Sequence, residues 1–131
     1  MEERRLFGIR GAIRCENVVE DITHRVVELY DETLSRNGLT ETDIVSLIFS
    51  VTNDLTAMNP AAALRKGGRA SDLALFSVAE PEVDSGLTGV IRTLIHCYLP
   101  SDALPCHVYL NGAEVLRPDR LQSGVKKQGD A

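Results

Sequence analysis

The run Ile44-Val-Ser-Leu-Ile-Phe-Ser-Val-Thr52 constrains this chain more than any other stretch. It is rich in β-branched and aromatic residues and almost wholly apolar. A pattern of that kind predicts a strand covered on both faces. Asn53-Asp54 ends it, and Thr40-Glu-Thr-Asp43 before it has the form of a short capping turn. The other elements must be arranged to enclose that strand.

Residues 5–13 read as a first strand, with Leu6, Gly8, Arg10 and Ala12 on one face and Phe7, Ile9, Gly11 and Ile13 on the other. Gly8 and Gly11 flank Arg10, which points to close approach of a backbone or a ligand; a strand arginine is otherwise ordinarily solvated. A helix is expected over 19–36. Ile22, Val26 and Leu29 lie on its buried row, Glu20 and Asp21 in its first turn, and Asn37-Gly38 provides the stop. Pro60-Ala-Ala-Ala-Leu-Arg-Lys-Gly68 predicts a short helix, and residues 73–78 a further strand.

The stretch from Glu80 to Arg92 combines a carboxylate, a glycine-rich turn and an arginine. From Gly86 the apolar residues Leu87, Val90, Ile91, Leu94, Ile95 and Tyr98 follow helical spacing, so a helix is expected over 86–98 with Arg92 on the margin of its stripe. There the guanidinium either snorkels to water or is held half-buried for a purpose. Residues 107–110 and 113–116 read as two short strands around Asn111-Gly112, a hairpin signal. These elements compose an α+β fold with a mixed five-stranded sheet packed by two main helices. Residues 1–118 form one domain, and 119–131 a flexible, polar tail.

Length and composition narrow the function. A chain of 131 residues with 44% hydrophobic and 25% charged content is an ordinary globular domain. No apolar run approaches the roughly 20 residues of a membrane span. The N-terminal sequence lacks the apolar core of a signal peptide, and Cys15, Cys97 and Cys106 are an odd number, so reduced thiols in the cytoplasm are expected. A net charge of −5 argues against nucleic acid as a partner. His96-Cys97 and Cys106-His107 do not make a metal site, because adjacent side chains diverge and no further pair completes four ligands. No GxSxG, P-loop or thiol at a glycine-rich elbow is present.

What remains is a set of arginines: Arg10, Arg65, Arg92 and Arg117. Each sits beside a tightly turned or apolar segment. The guanidinium is a planar, permanently charged fork of donors suited to carboxylates. With Glu80 and Tyr109, the set would suit a small polycarboxylate ligand.

In order and spacing these residues resemble the monofunctional α/β chorismate mutases of the AroH type, over about residues 7–119. The anchors are Gly8-Ile-Arg-Gly-Ala12; Thr52-x-Asp-Leu-x-Ala57 with Pro60 and Arg65; Glu80-x-x-Val83-x-x-Gly86-Leu87-x-x-x-Ile91-Arg92; His107-Val-Tyr-Leu110; and Val115-Leu-Arg-Pro-Asp119. The resemblance implies a Claisen rearrangement of chorismate to prephenate, in phenylalanine and tyrosine biosynthesis, without a cofactor or metal. It implies a homotrimer with a pseudo-barrel sheet core and active sites between subunits. By position, Arg92 would donate to the ether oxygen and Glu80 would accept from the ring hydroxyl. Arg10 and Tyr109 would hold the side-chain carboxylate, Arg65 and Arg117 would favour the dianion from the rim, and Leu116 would pack against the ring.

The chain departs from the family pattern at Asn59, where an aromatic is usual, Ala62 (lysine), Ser77 (cysteine) and Pro81 (methionine). Asn59 and Ser77 are expected among the substrate-binding residues, and Lys66, one turn beyond Ala62, would partly replace the missing cation. Two other readings fit the same residues. One is a mutase acting on isochorismate or 4-amino-4-deoxychorismate; the other is a trimeric anion-binding protein without catalysis.

Overall fold

The computed structural model describes residues 3–117; the tail expected over 119–131 lies outside the described residues. The elements, in order, begin with β1 (Arg4–Arg14), α1 (Val19–Asn37), a 3-10 turn at Glu41–Asp43 and β2 (Ile44–Val51). They continue with α2 (Pro60–Lys66), β3 (Ala74–Ala79), β4 (Val90–Pro100), β5 (Val108–Leu110) and a 3-10 turn at Ala113–Leu116. The strands form one mixed sheet in the order β3-β2-β4-β1-β5, with β2/β4 and β4/β1 antiparallel and β2/β3 and β1/β5 parallel. The α+β class with a five-stranded sheet and two helices is found. Its strands are not all the expected ones.

The helix expected over 86–98 is strand β4 instead. Ile91, Thr93, Ile95, Cys97 and Leu99 are buried, and the residues between them are more open. That is a period of two. A central strand with apolar residues on both faces also satisfies the helical template, because consecutive apolar residues match any spacing. The β-branched Val90, Ile91, Thr93 and Ile95 favour the strand. The second strand expected at 113–116 is a 3-10 turn. Asn111 and Gly112 do have positive φ, as a hairpin turn requires. However, Asn111 Nδ2 donates to the Arg14 carbonyl and Gly112 N–H donates to Glu114 Oε1, which ties the turn to β1 and lets Ala113 bury.

Both helices lie on one face of the sheet. Ile22, Val26, Leu29 and Tyr30 of α1, and Ala61, Ala63 and Leu64 of α2, share a core with Phe7, Ile9, Leu47, Phe49, Ile91 and Ile95. Gly38 ends α1 in the left-handed conformation, and Thr40 with Asp43 forms a capping box. The opposite sheet face carries no helix. Phe76 is 66% exposed there, and Leu6, Val78 and Tyr98 are also exposed. Strand β2 was expected to be covered on both faces, and within one protomer it is covered on one.

Gly11 lets α1 and β5 close onto β1. A Cβ at this position would lie 2.6 Å from Thr93 Oγ1, 3.2 Å from Leu29 Cδ1 and 3.3 Å from the Val108 carbonyl. These neighbours are all held in the core. Gly11→Ala should therefore cost about 1–3 kcal/mol by overpacking, and calorimetry should show Tm falling by roughly 5–10 °C.

Candidate active site

Registers across the sheet set Val78, Ser50, Arg92, Ala12 and Tyr109 in one row on the open face, one residue from each strand. Glu80 follows the end of β3, its N–H bonded to the Val51 carbonyl at 2.8 Å. Its carboxylate reaches back into the row. Ser50 Oγ donates to Oε1, and Arg92 Nε lies 3.2 Å from Oε2. That separation makes an ion pair, but the Nε–H is not aimed at the oxygen. Nε is a buried donor without a hydrogen-bond partner among the described residues. The Arg92 side chain as a whole is 41% exposed, so its outer nitrogens open to the face. Arg92 thus sits near the start of β4, its inner Nε charge-paired with Glu80 and its outer nitrogens open.

The entry to β4 is held where this arrangement needs it. Thr52 Oγ1 accepts from Val90 N–H at 3.0 Å, and Asp54 Oδ1 accepts from Gly89 N–H at 3.2 Å. Burial opposes the charge on Asp54, but hydrogen bonds from Thr52, Gly89 and its own backbone, with the Arg14 charge, hold its carboxyl below the usual range. Gly89 has φ +65°, and a Cβ there would meet the Cys15 carbonyl at 2.9 Å. The Thr52-x-Asp54 motif is thereby a clamp two residues before Arg92.

Arg10 lies one row away, opposite Leu94, with its side chain exposed on the same face and its N–H donating to His107 Nδ1 at 2.9 Å. Tyr109 and Leu116 pack against a small cluster of Ala12, Val90 and Ala113 beside Arg92. Arg117, half-buried, follows Leu116. Asn37 fixes the approach to β5: its side chain donates to the Cys106 carbonyl and accepts from Cys106 N–H, at 2.9 and 2.7 Å. Arg92, Glu80, Tyr109 and Leu116 therefore come together, with Arg10 adjoining.

Asn59 and Ser77 form a second group elsewhere. Ser77 points to the helix-covered side of edge strand β3 and donates to Asn59 Oδ1 at 3.0 Å. Asn59 is the N-cap of α2, and Arg65 is exposed in that helix's last turn. The pair lies on a groove of about 370 Å³ whose apolar lining includes Val51, Leu55, Met58 and Pro60. Ala62 and Lys66 are both exposed on α2, four positions apart.

Ser50 was not singled out from sequence. Its signal was a hydroxyl on the same strand face as Ser46, four residues before it, in an otherwise apolar strand. Alternative chemistries gain nothing from the geometry. Burial, and then the charges of Asp21 and Asp54, push the Cys15 thiol up to about 11, and burial also raises Cys97. A thiolate at either is scarce near neutral pH. No disulfide joins the cysteines among the described residues. His96 Nδ1 pairs with Ser46 Oγ on the open face while Cys97 is buried on the other. Among the described residues no three His, Cys, Asp or Glu side chains are grouped to hold a metal, and no helix is long and apolar enough to cross a membrane.

A row of arginine, carboxylate and tyrosine over an apolar patch can bind a polar anion and stabilise negative charge that develops at a fixed point. Known proteins agree with that capacity. A family model described as chorismate mutase type I matches residues 6–120. Chorismate mutase AroH of Bacillus subtilis (strain 168) is 33% identical over 115 residues, covering 86% of this chain and 90% of that protein. Chorismate mutase AroH of Thermus thermophilus is 39% identical over 116 residues, covering 86% and 93%. The solved structure of a chorismate mutase from Clostridium thermocellum superposes with a TM-score of 0.76 at 39% identity, over 83% of this chain and 98% of that one.

Proposed function

The chain belongs to the type I chorismate mutase family, and we propose that it rearranges chorismate to prephenate with Arg92 as the group that stabilises the breaking bond. The reaction is a Claisen rearrangement: the ether C–O bond breaks as a C–C bond forms within the same molecule. No proton is transferred and no covalent intermediate is needed. The protein must hold the compact conformer and meet the negative charge that gathers on the ether oxygen. The observation that carries this reading is the Arg92 guanidinium on the open sheet face, restrained through its buried Nε by Glu80 at 3.2 Å while its outer nitrogens stay open to a ligand.

Glu80, with one oxygen taken by Ser50, accepts the ring hydroxyl and orients the guanidinium at the same time. Arg10 and Tyr109 hold the side-chain carboxylate, Leu116 packs on the ring, and Arg117 and Arg65 favour the dianion from the rim. The product feeds phenylalanine and tyrosine synthesis, in the cytoplasm.

The working unit in this reading is a homotrimer with a pseudo-barrel sheet core. Two observations support it. The open sheet face exposes Leu6, Phe76, Val78 and Tyr98 in one protomer, an apolar surface of the kind that associates. Further, Asn59 and Ser77 pair on the helix-covered face at edge strand β3, whereas Arg92 and Tyr109 lie on the open face. A ligand held by both groups lies between neighbouring protomers. A bicyclic diacid shaped like the transition state tests the catalytic reading by calorimetric titration. It should bind at least 10²-fold more tightly than prephenate; equal affinity for the two would leave an anion-binding protein without catalysis.

A further inference from the structure

Tyr109 and Leu116 rest on a cluster with little apolar area of its own. Only Ala12, Val90 and Ala113 are fully buried in it, with Leu87 packed alongside. Two of those three are alanines, so burial contributes little there and directed contacts carry more of the order. Arg14 makes three of them. Its Nε–H donates to the Thr88 carbonyl at 3.1 Å, and its own carbonyl accepts from Asn111 Nδ2 at 2.8 Å. Its stem passes so near Gly112 that a Cβ there would lie 3.1 Å from Arg14 Cδ.

The sheet order explains why one residue has this reach. Strand β1 lies between β4 and β5, and Arg14 is its last residue, half-buried on the open face two positions beyond Ala12. Its side chain turns toward the entry of β4 and its carbonyl toward the exit of β5. Arg92 is also held by the long β1/β4 ladder and by Glu80. The β1/β5 ladder, by contrast, runs over only three pairs and stops at Leu110. Beyond that point the chain leading to Leu116 depends on the contacts at Asn111 and Gly112.

We propose that Arg14 is a positioning residue of the active site, a latch that ties the glycine turn before Arg92 to the turn before Leu116. It thereby sets Tyr109 and Leu116 at their spacing from Arg92. The inference rests on the chorismate mutase reading above, in which those two residues bind substrate while Arg92 meets the developing charge. Loss of the latch therefore weakens binding more than chemistry.

Arg14→Met keeps a stem against Gly112 and removes the donor to Thr88; Arg14→Ala removes both. Steady-state kinetics on the full chain with chorismate should show KM raised about fivefold in Arg14→Met, the usual net worth of one hydrogen bond, and further in Arg14→Ala. In both, kcat should fall less than KM rises. Added ethylguanidinium should lower KM again in Arg14→Ala, whose missing atoms it replaces, and not in Arg14→Met, where the stem's place is filled. Should Arg14→Ala fail to fold, Arg14→Met decides alone. Wild-type KM in the folded variants, with or without a lower Tm, would overturn the inference and leave Arg14 a residue of the fold only.

Amide hydrogen exchange tests the latch without turnover. In Arg14→Met, exchange should quicken together over residues 87–90 and 109–116 and stay unchanged in α1. Faster exchange in one segment alone would overturn the coupling. Wild-type turnover of chorismate is the control: its absence removes the functional reading, whereas its presence with unaffected variants removes this inference alone.

Discussion

Arg92→Ala should lower kcat for chorismate by about 10²–10³-fold, the loss seen when one preorganised donor to a developing oxyanion is removed. KM should change much less, because Arg10, Tyr109 and the rim arginines still bind the carboxylates. The reason lies in the position of the residue. Nε is buried and lacks a hydrogen-bond partner among the described residues, while Glu80 sits 3.2 Å away and restrains the group. A guanidinium already held in place meets the developing charge through its outer nitrogens with little reorganisation, and in the truncated enzyme nothing replaces it. Arg92→Lys should recover only a small part, because a single ammonium lacks the planar fork that faces Glu80 and the substrate together. Steady-state kinetics on chorismate checks both variants. A loss confined to KM would place Arg92 among the binding residues and leave the chemistry to another group.

If the proposed homotrimer packs through the open sheet face, Leu94→Asp should leave folded monomers and abolish measurable turnover. Leu94 lies mid-strand in β4, beside Arg10 on one side and Ile48 on the other, on the face without helices. In an isolated protomer an aspartate there would still reach water, so the fold survives. In an assembly packed through this face, three carboxylates would be buried without partners, at several kcal/mol each. Sedimentation should fall to the monomer value while circular dichroism stays unchanged. Activity should vanish with assembly if Asn59 and Ser77 of one protomer face Arg92 of the next. A trimer that persists through this substitution would place the interface elsewhere.

These two residues also mark where sequence reading succeeded and failed. Strand β1, helix α1, strand β2 and strand β3 lie within a residue or two of where periodicity and stop signals put them, because each presents one face to the core. Arg92 and Leu94 were assigned to a helix. Their strand carries apolar residues at almost every position, and continuous hydrophobicity holds no information about period. The expectation of a doubly covered β2 was not met among the described residues: the helices cover one face of the strand, and Ser46, Ile48 and Ser50 lie on the other. The anchors Arg10, Glu80, Arg92 and Tyr109 were legible by type and spacing. Their shared face was not, because it depends on cross-strand register among β1, β4 and β5. The hydroxyls of Ser46 and Ser50 showed only a shared polar face, and the register to Arg92 and the bond to Glu80 are what distinguish Ser50 from any other strand hydroxyl. The pairing of Asn59 with Ser77 likewise joins two departures from the family pattern that sequence showed only as separate substitutions.

The most direct test of the account is the rate of prephenate formation from chorismate by the purified protein, with isochorismate and 4-amino-4-deoxychorismate assayed in parallel. The account predicts acceleration of chorismate rearrangement by about 10⁶-fold or more over the uncatalysed reaction, the lower end of the range for enzymes, with the two relatives turned over more slowly. Chorismate rearranging no faster than it does in buffer would contradict it, whichever of the other two were accelerated.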